Sequence, residues 1–374
     1  MRGLGVTVLT ASFVTVLAGT SIAACSSFDS TSANADASAG DGSTSADSNE
    51  LDGNVVSENP RVGVPCAPDP SRIDVPGNGV DDDCNGKVDD EDPLCDGSLV
   101  LASTDAFDAA KAIGLCKKAA ATGTAWGVID AKYVLPDGSP TTGASSTSWG
   151  LLPAFGVNAP RAGQRVLALS SGTARAPDQP NYQPVLAKGY GHGRPAGFPG
   201  TLPACGGLPL ANAFDGIALD VRVRVPTNAR SFSFAHQFFT NDYSDTICQS
   251  YNDEYAVVIS PKPAASADGN LVVDALGFAI TTNSTALIRA CTPGMHNGLT
   301  FACPLSTTPL MGTGFEGHAS TGWLKTTVPV AGGEELTLRF AIWDSGDGNQ
   351  DSTVLFDDFS FSTASVSALS TSAQ

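Results

Sequence analysis

Ile217-Ala218-Leu219-Asp220-Val221-Arg222-Val223-Arg224-Val225 decides the fold, because large apolar side chains alternate there with small or charged ones at a period of two. Successive strand residues point to opposite faces, so the stretch offers one face to a core and the other to solvent. Phe232, Phe234, His236 and Phe238 repeat the pattern against Ser231, Ser233, Ala235 and Gln237. Leu336, Leu338, Phe340 and Ile342 repeat it against Thr337, Arg339, Ala341 and Trp343. Shorter strands are expected at residues 166–169, 255–260, 276–281, 323–328 and 354–361, with Pro- and Gly-rich loops such as 181–207 between them. One helix precedes them. Ala106, Ala109, Ala110, Ile113, Cys116 and Ala120 form a single apolar stripe. Asp105 and Asp108 fall in its first turn and Lys117 and Lys118 in its last, with Gly123 beyond, an order that suits the helix dipole. Many short strands and one helix predict a mainly β chain, an antiparallel β-sandwich or jelly roll. The alternative, an α+β domain, lacks a second periodic helix.

This β-sandwich domain is expected over residues 99–362, followed by a loose polar tail at 363–374. Upstream, residues 61–98 form an acidic, Cys-rich module with too few apolar residues to hold itself by packing, so disulfides or a metal must do so. Residues 25–60 are mostly Ser, Ala, Asp, Gly and Thr and read as a disordered tether. Residues 1–24 carry Arg2, an apolar run from Leu4 to Leu17, and small residues leading into Cys25. The run is too short for a membrane span and fits an export signal. Ile22-Ala23-Ala24-Cys25 resembles the lipobox of bacterial lipoproteins. That resemblance implies a signal peptide removed before Cys25, acylation of Cys25 (palmitate among the acyl groups), and lipid-anchored residence. Ser26, in place of an aspartate, implies the outer membrane, with the protein facing the periplasm or the surface. Membrane contact is then expected through the lipid anchor only.

The chain has nine cysteines. With Cys25 lipidated, the others form an even set, which in an exported protein reads as disulfides. Two are expected within Cys66, Cys84, Cys95 and Cys116, and two within Cys205, Cys248, Cys291 and Cys303. Cys291 with Cys303 closes a short loop at low entropic cost. The formal net charge is −18. It excludes nucleic acid as a partner, disfavours anionic lipid, and attracts divalent cations.

The sharpest motif is Asp81-Asp82-Asp83-Cys84-Asn85-Gly86-Lys87-Val88-Asp89-Asp90-Glu91-Asp92. Asp81, Asp83, Asn85, Asp89 and Asp92 take the oxygen positions of a calcium loop, Lys87 the backbone-carbonyl position, and Gly86 the sharp turn. No amphipathic helices flank it, so it is not a complete EF-hand. The hard oxygen set favours Ca²⁺; the alternative is a solvated acidic loop. A second acidic set, Asp344, Asp347, Asp351 and Asp357, joins Asp242 and Asp253 as a possible second metal site. In 354–361 an aspartate falls on each face, and a buried carboxylate needs either a hydrogen-bond set or a cation. Catalytic signals are weak. There is no His-Glu-x-x-His or Gly-x-Ser-x-Gly motif, His236 reads as a core residue, and His192 lies in the loop Tyr190-Gly191-His192-Gly193-Arg194. Glu254 and Glu316 are the carboxylates that a hydrolase would pair.

Asn78-Gly79-Val80-Asp81-Asp82-Asp83-Cys84-Asn85-Gly86 resembles the MopE-type metal-binding motif of bacterial surface proteins. Phe238-Phe239-Thr240-Asn241-Asp242-Tyr243, Gly312-Thr313-Gly314-Phe315-Glu316, and Ile342-Trp343-Asp344-Ser345-Gly346-Asp347-Gly348 with Leu355-Phe356-Asp357-Asp358-Phe359 together resemble choice-of-anchor L domains, over roughly residues 100 to 362. The resemblance implies a surface module carried on one of several anchors, with no assigned reaction. The expected function is therefore a Ca²⁺-stabilised binding or adhesion module, without enzymatic activity, for a surface polysaccharide or protein. The alternatives are a secreted carboxylate-dependent hydrolase and a metal-capture protein.

Overall fold

The computed structural model describes residues 66–374 apart from 91, 92, 185, 264, 265, 267 and 347. The signal peptide, Cys25 and the tether through residue 60 lie outside the described residues, as do Asp92 and Asp347. In chain order, α1 (Ala106–Ala112) is followed by β1 (Gly127–Val134), β2 (Trp149–Leu152), β3 (Val166–Ser170), β4 (Gly191–His192), β5 (Thr201–Leu202), β6 (Leu208–Pro209), β7 (Ala213–Arg224) and β8 (Ser231–Thr240). Then come β9 (Glu254–Ser260), β10 (Gly294–His296), β11 (Leu299–Phe301), β12 (Ala319–Ser320), β13 (Leu324–Pro329), β14 (Glu335–Ser345), β15 (Ser352–Ser362) and β16 (Ser370–Ala373).

The strands form two large antiparallel sheets, β1-β7-β14-β9 with β4 on β7, and β16-β13-β8-β15-β3-β2 with β12 on β8. Their apolar faces meet. Leu219, Val221 and Val223 of β7 and Leu338, Phe340 and Ile342 of β14 bury against Phe232, Phe234 and Phe238 of β8 and Val354 and Phe356 of β15. The Phe234 ring meets Phe340 edge-on at 5.9 Å between centroids, and Phe340 meets Phe356 at 5.0 Å. Each such side chain contributes about 1.5–3 kcal/mol by leaving water. The antiparallel β-sandwich with one helix is thus the architecture that the alternating stretches predict.

β8 is buried on both faces. His236 sits in its core row, hydrogen-bonded through its ring nitrogens to the Tyr255 and Thr326 hydroxyls, and burial pushes it down to about 3. Phe239, on the opposite face, joins a second core with Phe155, Leu310 and Phe315.

Four local expectations change. The helix ends at Ala112 with Ile113 as its C-cap, before Cys116, because Gly114 turns with φ +104 and a Cβ there would meet the Phe359 carbonyl at 2.9 Å. Lys117 and Lys118 therefore leave the helix, and their segment pairs with β1, Val128 donating to the Lys117 carbonyl at 2.7 Å. Residues 276–281 are not a strand: Asp274 caps a turn by accepting from the Leu276 and Phe278 backbones. The polar tail expected at 363–374 ends instead in β16, which adds an edge strand to β13. The fourth change is in β15, where the strict alternation breaks between Asp357 and Ser360. Asp358 takes φ +50, a bulge that brings Phe359 and Phe361 round to the core used by Val354 and Phe356.

Four disulfides join Cys66 to Cys84, Cys95 to Cys116, Cys205 to Cys248 and Cys291 to Cys303. All four stay within the two expected groups. Cys95–Cys116 crosses the boundary drawn at residues 98 and 99, so it fastens the acidic segment to the chain just after α1. Asn228 exchanges two hydrogen bonds with the Ile73 backbone, and Trp126 Nε1 donates to the Arg72 carbonyl at 2.9 Å. Asp96 accepts from the Gln164 and Arg165 backbones. The described residues from 66 onward form one compact unit. Among the described residues no helix is long and apolar enough to cross a membrane.

Candidate functional site

Apolar side chains are scarce between residues 66 and 90, so carboxylates organise the backbone. Asp81 accepts from the Asn85 and Gly86 N–H groups, and Asp89 from those of Asn78 and Gly79. Asp82 accepts from the Val75 backbone and the Asn78 amide. Gly86 turns with φ +94, as the loop reading requires. Asp74, only 6 % exposed, accepts three backbone N–H groups, from Asp82, Asp83 and Asp90.

The result is a group that differs from the spacing-based set. Asp74, Asp83 and Asp90 bring carboxylate oxygens within 4.8 Å of one another. Burial pushes the Asp83 carboxyl up, and the charges of Asp74 and Asp90 add to that. Asn85 ties the group together, its amide donating to Asp83 at 3.1 Å and to Asp90 at 3.1 Å. Lys87 reaches Asp90 at 3.7 Å from the solvent side. Of the residues expected as ligands, Asp83 lies in this group and Asn85 bonds to it, whereas Asp81 and Asp89 turn to the backbone. Asp74 and Asp90 were missed. Asp74 stands alone in Ile73-Asp74-Val75, seven residues before the motif, and only the fold carries it there.

These carboxylates line a cavity of about 390 Å³. Leu115, Trp126, Phe359 and Phe361 line it as well, supplied by the segment after α1, the approach to β1 and the bulged half of β15. Trp126 is braced edge-on by Phe361 at 5.9 Å, and Lys117 Nζ lies 4.5 Å over its ring. A cavity lined by both carboxylates and aromatic rings can hold a cation and, beside it, a flat apolar surface such as a sugar ring.

The second acidic set gathers where β8, β14 and β15 end. Asp242 accepts from the Asp253 backbone at 2.6 Å. Asp253 and Asp344 face one another in the interior. Burial pushes both carboxyls up, and the charges of Asp242 and Asp344 raise Asp253 further. Asp351 is pushed up by burial to about 6. Asp215, which the sequence did not flag, enters beside them by accepting from the Lys188 and Tyr190 backbones. Asp357 does not belong to this set. It lies further along β15, accepts from the Arg161 and Ala162 backbones, and is pushed by burial to about 7.

The two carboxylates that a hydrolase would pair are held by different partners. Glu254 is buried and accepts from Arg194 Nε, Trp343 Nε1 and Ser345 Oγ at 2.8–3.1 Å. Glu316 accepts from the Gly312 backbone in an exposed turn. His192 accepts from the Gly216 backbone through Nε2 at 3.0 Å, a bond that pins β4 beside β7.

The fold and these sites define an antiparallel, disulfide-braced β-sandwich with carboxylate clusters in its loops. The model of the choice-of-anchor L domain matches residues 221–362, so the resemblance read from the motifs holds over that part of the chain. No curated protein matches the sequence. Among solved structures, the K2 cleaved adhesin domain of Lys-gingipain aligns with 62 % of this chain and 88 % of its own, at 15 % identity and a TM-score of 0.26. A likeness that slight carries no argument.

Proposed function

We propose that this protein is a cell-surface binding or adhesion module that Ca²⁺ stabilises, and that the 390 Å³ cavity is its binding site. The observation that carries this reading is the convergence of Asp74, Asp83 and Asp90 in a cavity that Trp126 and Phe361 also line. A calcium ion on the three carboxylates keeps coordination positions for ligand oxygens, since Ca²⁺ takes six to eight. Vicinal hydroxyls of a surface polysaccharide suit those positions, and the aromatic side chains suit the apolar face of the ring. The match to the choice-of-anchor L domain supports a surface location. An acyl chain on Cys25 in the bacterial outer membrane would be the anchor, and the acidic stretch after it the spacer.

Glycan-array binding of the full chain in detergent, with Ca²⁺ and then with EGTA, tests the reading. Binding should need Ca²⁺ and disappear in Asp83→Asn/Asp90→Asn. Binding that survives both EGTA and the double substitution would sink it.

A further inference from the structure

The acidic end of the sandwich gathers more carboxyl groups than cationic side chains. Asp215, Asp242, Asp253, Asp344 and Asp351 lie within electrostatic reach of one another, with Lys188 among them. Lys188 Nζ donates to neutral oxygens: the Ser148 hydroxyl at 2.9 Å and the carbonyls of Ser170 and Ser171. Arg194, the nearby guanidinium, is committed to Glu254.

Unpartnered oxygens mark one spot at this end. Asp351 is 4 % exposed; its Oδ2 accepts from the Leu186 backbone at 2.8 Å, while its Oδ1 accepts nothing. Asn241 Oδ1 and Thr173 Oγ1 are likewise buried without partners. All three residues line one small cavity of about 10 Å³, the room that one water molecule or one ion fills. The cavity sits at the common end of three neighbouring strands. Asn241 follows β8, Asp351 precedes β15, Thr173 follows β3, and the Asn241 N–H donates to the Asp351 carbonyl at 3.3 Å. Gly172 leaves the space, because a Cβ there would overlap the Asp351 carboxylate. Arg175 also lines the cavity but directs its guanidinium at the Ser146, Trp149 and Ala174 carbonyls. Near Asp351, Asp344 is buried face to face with the Asp253 carboxyl.

A water molecule would satisfy the three oxygens but bring no positive charge to the Asp351 carboxylate. A hard divalent cation does both, because its preferred ligands are carboxylate, amide and hydroxyl oxygens. We propose that this cavity is a calcium site, separate from the 74–90 loop, with Asp351, Asn241 and Thr173 as ligands and with Asp344 and Asp253 supplying the attracting field. The ion pins the ends of β3, β8 and β15 and holds the loops that leave them.

Native mass spectrometry and thermal unfolding of the full chain test the site with Ca²⁺ as the probe. Asp83→Asn/Asp90→Asn, which disables the loop group, should still retain one calcium ion. Its midpoint should still rise by about 5 °C when Ca²⁺ stands a hundredfold above Kd. Adding Asp351→Asn should remove both the ion and the rise. Should that variant not fold, Thr173→Val in the loop-disabled chain supplies the same test, lowering affinity about tenfold through loss of one hydroxyl ligand. A loop-disabled chain that binds no calcium and shows no calcium-dependent midpoint overturns the proposal and leaves an ordered water in the cavity. Calcium binding indifferent to both Asp351→Asn and Thr173→Val overturns it as well.

Discussion

In the 74–90 loop, Asp74, Asp81, Asp82 and Asp89 each accept backbone N–H groups. At the end of the sandwich, Asp253, Asp344 and Asp351 are buried, and burial pushes each carboxyl up. The residue type is the same and its work is opposite. In the loop, carboxylates replace a hydrophobic core and shape the backbone. In the sandwich, a hydrophobic core holds the backbone and carries the cost of buried charge. An isolated buried carboxylate costs several kcal/mol, and only a region stabilised by other means can keep one.

The largest expected effect tests the second half of that contrast. Phe234→Ala removes a ring that contacts Phe232, Phe340 and Phe356 across both sheets, and should cost about 4 kcal/mol. Urea unfolding followed by tryptophan fluorescence measures it. A loss near zero would mean that the two sheets do not share one core.

Asp74→Ala tests the first half. It strips the acceptor from three backbone N–H groups and should cost about 3 kcal/mol, confined to the loop. Limited proteolysis should then cut faster between Cys66 and Cys95, while the urea midpoint of the sandwich stays in place. A matching drop in both would erase the distinction between loop and sandwich.

The smallest effect sharpens the comparison through pH. Asp357 is raised by burial to about 7, so the folded state holds its proton where the unfolded chain has released it. Stability from this group therefore falls as pH rises from about 4 to about 7, and stays lost above that. Asp357→Asn keeps an acceptor for Arg161 and Ala162 and carries no charge. It should leave stability unchanged near pH 4 and raise it by about 2 kcal/mol at pH 8. Equal gains at both pH values would show that charge burial is not the cause.

The alternation in 217–225, 231–238 and 336–342 was enough to call the sandwich, because a two-residue period with one apolar face has no stable solution other than a packed sheet. β1 and β2 were not read. β2 is buried along its whole length, so Trp149-Gly150-Leu151-Leu152 has no polar face to alternate with. The helix stripe overran its true end because Cys116 and Ala120 kept the spacing after Gly114 had already turned the chain. The split of β15 into one face with Val354 and another with Phe359 failed for a similar reason. A single residue at positive φ changes the phase, and composition does not announce it.

The candidate sites divide along the same line. Spacing alone picked out an acidic loop, its glycine turn and the two cysteine groups, because local geometry governs each of them. It could not choose Asp74 and Asp90 over Asp81 and Asp89, since that depends on how the backbone folds Asp74 back onto Asp83 and Asp90. Nor could it find the cavity at Asp351, whose lining residues Thr173 and Asn241 come from strands far apart in the chain. The sequence by itself determined the strand pattern, the acidic character and the cysteine groups, all of which follow from side-chain period and composition. Only the tertiary structure decided which oxygens face one another, because burial and donor competition arise when distant strands are brought side by side.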